Sequence, residues 1–178
     1  MLKEYFIENK KSVNLNKLKN KASDAEYFKA RENLVRTTID LFVKYKKGIL
    51  LIERMDEPAK GMIWGFGGGI ERGKSFEQAI KEIARRECNL KISNIKFLGV
   101  ARFFCGKNSW GSEKGVDDIS LGYFAKGKGY LKLDKHHKNP IILKPENYNK
   151  DFREKIHPFV KNFLDKAMGL IKSSSSFY

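Results

Sequence analysis

Residues 65–90 read GFGGGIERGKSFEQAIKEIARRECNL, and the character of this stretch changes at Ser75. After Ser75, residues Phe76, Ala79, Ile80, Ile83 and Ala84 recur at i, i+3, i+4, i+7 and i+8. That spacing makes one apolar stripe along a helix. Ser75 followed by Gln78 forms a capping box, so the helix starts there and is expected to run to about Cys88. At ~100° per residue, the eleventh residue after Phe76 returns to within ~20° of the stripe. That residue is Glu87. A carboxylate is therefore aimed along the buried side of the last turn. Burying it alone is costly, so it needs a cation, either a metal or a neighbouring Arg or Lys. A terminal Glu that reaches water, or a structural salt bridge, is the plainer alternative.

Before Ser75 the pattern is irregular from residue 55 onward, with Gly61, Gly65, Gly67, Gly68, Gly69 and Gly73. A long loop inside a compact domain is usually functional. Glycines let backbone N–H and C=O groups approach a ligand closely, which suits phosphates or a carbonyl ligand to a metal. The Gly-Lys-Ser at 73–75 is not read as a P-loop.

Outward from this centre, residues 35–45 alternate, with Val35, Thr37, Ile39, Leu41 and Val43 on the greasier face of a strand. Lys46-Lys47-Gly48 is a turn and Ile49–Ile52 a buried strand, so 35–54 reads as a hairpin. Ser23 and Glu26 make a second capping box, for a helix over 24–33. Further strands are expected near 93–104 and 118–125, an irregular stretch over 126–150, and an amphipathic helix over 151–170. The class is α/β, with mostly local strand connections. Residues 1–22 read as a polar, basic, mobile arm, 23–170 as a single domain, and 171–178 as a Ser-rich flexible tail.

The chain has 178 residues, 41% of them hydrophobic, enough for one domain with a real core. Its formal charge of +15 invites a nucleic-acid reading, but the lysine-dominated excess is spread along the whole chain and favours anionic ligands in general. Cys88 and Cys105 are too few for a disulfide framework and lack metal-site spacing. His136, His137 and His157 form no zinc pattern. No apolar run approaches the ~18–20 residues of a membrane span, so a cytoplasmic protein is expected.

The order hairpin, Gly-Gly loop, capped helix and inward Glu resembles the Nudix hydrolase family. Aligned on that family's motif from Gly68, the chain matches it at Gly68, Ala84, Glu87 and Leu90. It carries Lys74 for the first Glu, Glu82 for the Arg, and Ile83 and Arg86 for two metal-binding Glu. One branch, the GDP-mannose mannosyl hydrolases, is similar from about Asn33 to Leu90. The likeness rests on Leu34-Val35, Asp40, Leu50-Leu51 to Arg54, Pro58-Ala59-Lys60-Gly61, Trp64 and Gly67-Gly68.

The resemblance implies a Nudix α/β/α sandwich around a mixed sheet. It implies Mg²⁺-dependent hydrolysis (Mn²⁺ as the other candidate ion) of a nucleoside diphosphate sugar, with water attacking C1 of the sugar. In that scheme Glu87, the Gly67 carbonyl and His136 hold the metal. Arg54 neutralises the departing diphosphate and His137 is the general base, a task suited to an imidazole. Asp40, Trp64 and Gly68 contact substrate. The chain departs from the branch at Gly69, where an Arg is expected, at Glu82, again for an Arg, and at Asp118, for a Tyr. Arg72, Lys74 or Arg102 are the candidates to compensate. Asp117-Asp118 reads as an exposed acidic strand start, with metal ligation the less favoured role. The expected partners are the nucleotide-sugar substrate and a second copy of the chain, a homodimer. Competing readings are a non-catalytic nucleotide- or nucleic-acid-binding Nudix fold, and a Nudix pyrophosphohydrolase that cleaves at phosphorus.

Overall fold

The computed structural model describes residues 2–4 and 22–175. Most of the arm expected over 1–22, and the end of the tail expected over 171–178, lie outside the described residues. In chain order the elements are α1 (Asp24–Asn33), β1 (Arg36–Tyr45), β2 (Gly48–Arg54), β3 (Ile63–Trp64), β4 (Phe66–Gly69) and α2 (Phe76–Cys88). They continue with β5 (Lys91–Cys105), β6 (Val116–Lys128), β7 (His137–Leu143), a 3₁₀ turn (Pro145–Asn147), α3 (Lys150–Lys155) and α4 (Pro158–Ser175).

Both capping boxes form: Ser23 with Glu26 opens α1, and Ser75 with Gln78 opens α2. Asn89 closes α2 in a left-handed conformation at φ 57°. Asn tolerates that region best after glycine, so it serves at a position where the Nudix motif carries Gly.

The strands make one mixed sheet in the order β3-β2-β1-β6-β5, with β4 also on β1 and β7 also on β2. β1 runs antiparallel to β2 and β4 but parallel to β6, with Arg36 opposite Asp118 and Lys44 opposite Lys126. The connections are thus less local than expected, because a parallel pair needs a long crossover. The stretch expected to be irregular over 55–74 contains β3 and β4. The stretch over 126–150 contains β7. These strands are short or Pro-containing and have no periodicity of their own. The ladder partners β1 and β2 supply their order.

Alternation along β1 implied one buried face, yet residues 38–43 are all buried. Helices cover both faces. Ile80, Ile83 and Ala84 of α2 and Phe163, Leu164 and Ala167 of α4 all join the core at 2% exposure or less. The last helix is broken in two because Pro158 cannot continue α3, and Pro then sits well at the start of α4. α4 itself extends to Ser175, so residues 171–175 are helical where a flexible tail was expected.

Phe163 carries much of the α4 contact. Its ring lies 6.1 Å from Phe42 and 5.4 Å from Phe159. A Cβ at Gly122 would come within 2.3 Å of it, so glycine there lets α4 seat on β6. Phe163→Ala should cost about 3–5 kcal/mol in a urea unfolding experiment. A change under about 1 kcal/mol would mean that α4 is not integral to the core.

Candidate active site

The apolar stripe of α2 ends as its period predicts. Glu87 is 4% exposed at the last helical turn. Its Oε2 accepts the backbone N–H of Gly67 at 2.9 Å, and its Oε1 accepts from the Arg86 guanidinium at 2.6 Å. Burial pushes the Glu87 carboxyl above its ordinary range, against the pull of Arg86, the Gly67 N–H and His137.

The carbonyls left open at the end of α2 organise the chain that follows β6. The Glu87 carbonyl accepts from Asp134 N–H and the Cys88 carbonyl from Lys132 N–H, each at 3.2 Å. This pins residues 132–134 beside the helix and delivers His137 to the site. His137 opens β7 opposite Arg54 in the ladder with β2, and its side chain is 7% exposed. Its Nδ1 lies 2.7 Å from Asp134 Oδ1, and its Nε2 lies 3.9 Å from Glu87 Oε2. A carboxylate only accepts, so Nδ1 donates to Asp134, and Nε2 is the ring nitrogen turned toward Glu87 and the pocket.

His136 behaves differently. Its ring pairs with Asp56 and is half exposed, while its backbone bonds to Met55 and Asp134. It lines the same pocket, but its Nδ1 is taken by Asp56 and it shares no contact with Glu87 among those of the described residues.

Arg54 points its Nε at the Pro58 carbonyl, 2.8 Å away, and sits 5.9 Å from the Trp64 ring. The acids that could have held it in a rim salt bridge are engaged elsewhere. Glu53 bonds to Lys138 and Asn139, Asp56 to His136, and Glu57 to the Lys60 N–H. Asp40 is 8% exposed, with one oxygen on the Trp64 indole N–H at 2.9 Å and the other on the Ser120 hydroxyl. Both of its oxygens are occupied by protein, so its first role is to orient Trp64. Trp64 in turn stacks on Phe159 at 5.3 Å and forms a wall. Gly67 and Gly68 face Asp40 and Ile39 across the β1–β4 ladder. A Cβ on Gly67 would lie 2.5 Å from the Ile39 carbonyl oxygen, so only glycine lets β4 come this close.

One pocket of about 590 Å³ collects Asp40, Arg54, Trp64, Gly67, Gly68, Glu87, His136 and His137. It also takes in three groups that sequence reasoning missed, Arg31, Arg36 and Asp134, together with Arg86. Arg36 was legible in part, because Arg36, Thr38 and Asp40 alternate onto one side of β1. Arg31 was not, since only the tertiary fold lays α1 over the pocket. Asp118 is buried at 8% exposure and bonds Arg31 at 3.2 Å, in place of the exposed role expected for it. Arg102 pairs with the more exposed Asp117, and Lys74 with Glu71 and Glu82. Neither lines the pocket, nor does Arg72, so none compensates for the missing arginines.

The Lys74–Glu82 pair has its own logic. The Nudix motif carries Glu and Arg at these two positions. Here the charges are exchanged and the attraction between loop and helix is kept. The same pair removes Lys74 from phosphate chemistry. Gly68, Gly73, Lys74 and Ser75 do have P-loop spacing, contrary to the sequence reading. Yet Gly68 is spent in the β4 ladder, and Ser75 caps α2.

A divalent ion beside Glu87 fits poorly. Both carboxylate oxygens are engaged, the neighbouring motif positions are Ile83 in the core and Arg86, and His136 faces Asp56. Among the described residues no three His, Cys, Asp or Glu side chains gather as a metal site. Cys88 is buried with its thiol pushed up to about 12, chiefly by desolvation, and Cys105 is free.

Burial also raises the carboxyl of Asp40 above its ordinary 3.8, against hydrogen bonds from Ser120 and Trp64. A raised carboxyl binds its proton more tightly folded than unfolded. Its contribution to stability therefore grows as pH falls from the folded value toward 3.8, and is lost as pH rises through the folded value. Asp40→Asn removes this dependence. Denaturant midpoints of both proteins at neutral and mildly acidic pH should therefore show the wild type gaining on the variant as pH falls. A constant difference would rule out a raised Asp40.

This architecture, a mixed sheet between helices with a capped helix turning one Glu toward a Gly-Gly strand, is the Nudix fold. The structure is similar to a MutT Nudix hydrolase from Burkholderia pseudomallei, with TM-score 0.62 and 15% identity over 75% of this chain and 98% of that one. It is similar also to a Nudix hydrolase from Nitrosomonas europaea, with TM-score 0.59 and 15% identity over 76% and 90% of the two chains. In sequence it is 24% identical over 148 residues to the low-salt glycan biosynthesis protein Agl8 of Haloferax volcanii, covering 80% of this chain and 88% of that protein. No family model matches the chain. Among the described residues no helix is long and apolar enough to cross a membrane.

Proposed function

We propose that the chain hydrolyses a nucleoside diphosphate sugar of the GDP-mannose kind. The observation that carries this reading is His137, oriented by Asp134 with its Nε2 turned toward Glu87 in a pocket rimmed by guanidinium groups. Two supports stand beside it. A relative is named for glycan biosynthesis, and glycan assembly consumes activated sugars. The residues around Arg54, Trp64 and Gly67-Gly68 resemble the mannosyl hydrolase branch.

His137 Nε2 accepts a proton from water, and the water oxygen bonds to C1 of the sugar. The bond from C1 to the diphosphate oxygen breaks, and its electron pair leaves on the diphosphate. Arg54 meets that growing charge with a planar fork suited to phosphate oxygens. Asp134 is a positioning residue that fixes the imidazole tautomer. The proposed step is not routed through Mg²⁺ or Mn²⁺, because the groups around Glu87 do not fit the ion.

The test is incubation with GDP-mannose and identification of the products. GDP with free mannose supports the proposal. GMP with mannose 1-phosphate moves the attack to phosphorus and makes the chain a pyrophosphohydrolase. Tight binding without any product favours a non-catalytic module, a reading that the engaged Glu87 also supports.

A further inference from the structure

Resting on that reading of the pocket, we propose that its phosphate-binding charge is supplied by resident arginines, with Arg86 in the place of a divalent ion and Arg36 in the place of the arginine missing at residue 69.

The first half follows from Glu87. A buried carboxylate needs a positive partner, and here it has one 2.6 Å away on the adjacent residue. Arg86 stands where the Nudix motif carries a metal-binding Glu. The chain has thus replaced a ligand for a cation by the cation itself. The Arg86 side chain is 48% exposed while Glu87 is 5%, so the guanidinium caps the buried acid and keeps a face on the pocket. A Cβ on Gly68 would stand 3.0 Å from its Nη2, which places the group directly over the Gly-Gly strand.

The second half follows from Gly69. A Cβ there would lie 2.0 Å from Arg36 Nη2 and 2.6 Å from its Cζ. The Arg36 guanidinium therefore fills the space from which a residue-69 side chain would grow. It reaches there from β1, where Thr38 pairs with Gly69 in the antiparallel ladder. Arg36 is half-buried and lies 5.5 Å from the Tyr27 ring, and Arg31 beside it lies 4.4 Å from Trp110. The rings and Asp118 hold these guanidinium groups at the pocket. Arg31, Arg36, Arg54 and Arg86 then line one cavity, and planar forks of this kind bind diphosphate oxygens without a metal.

Calorimetry with GDP tests this, once in EDTA and once in Mg²⁺, alongside a Mn²⁺ titration followed by electron paramagnetic resonance. Binding in EDTA within about threefold of that in Mg²⁺ is expected, and Arg36→Ala should weaken it by about tenfold or more. Arg36→Ala combined with Gly69→Arg should restore most of the loss, because the swap moves the same group to the facing strand. Wild type should take up no Mn²⁺ that Glu87→Gln removes, whereas Arg86→Glu should create a saturable Mn²⁺ site. The proposal is overturned by a wild-type Mn²⁺ site lost in Glu87→Gln, by GDP binding that vanishes in EDTA, or by no GDP binding in either buffer. GDP binding in EDTA without turnover of GDP-mannose would instead remove the hydrolase reading and leave the arginine site standing.

Discussion

On the proposed reading, His137→Gln should lower kcat for GDP-mannose hydrolysis by about 10²- to 10⁴-fold and leave KM nearly unchanged. Gln keeps the size and hydrogen bonding of the side chain but has no lone pair basic enough to take a proton from water. The effect falls on kcat because the base acts in the transition state and adds little to ground-state binding. His137→Ala, which opens a space, should recover part of the lost rate when imidazole is added. Asp134→Asn should fall between wild type and His137→Gln, since it disturbs the tautomer and spares the imidazole. Unchanged kcat in His137→Gln would end the base assignment and leave Glu87 as the nearest alternative, 3.9 Å from the same point.

Arg54→Ala is expected to cost about 10²- to 10³-fold in kcat/KM, the scale for one preorganised group aimed at developing charge. The structure gives a reason for so large an effect. Glu53, Asp56 and Glu57 are all tied to other partners, so the charge of Arg54 is not spent on the rim. Its Nε is anchored on the Pro58 carbonyl, which fixes the fork before substrate arrives. Arg54→Lys should recover only part of the loss, because an ammonium cannot make the paired contact. Wild-type kinetics in Arg54→Ala would make Arg54 a structural clamp on the 55–58 turn.

The sequence alone was enough for the parts governed by neighbours along the chain. Both capped helices start at the predicted residue because a cap depends on groups within three positions. The inward turn of Glu87 follows from helical periodicity. The hairpin and the long strands follow from alternation and a turn. What the charges do to one another was not legible, since it depends on which elements meet. Glu87 could have faced a metal or an arginine; Arg86 is its neighbour along the chain, and the packing of β4 on β1 beside α2 adds the Gly67 N–H on the other carboxylate oxygen. The positions of Arg31 and Arg36 depend on where α1 crosses the sheet. His137 is brought in by two carbonyls at the end of α2 rather than by any pattern around residue 137. Local hydrogen bonds set the elements and the neighbour along the chain supplied the cation for the buried acid, while long-range packing decided what else meets it: the Gly67 N–H, His137 and the arginines of β1 and α1.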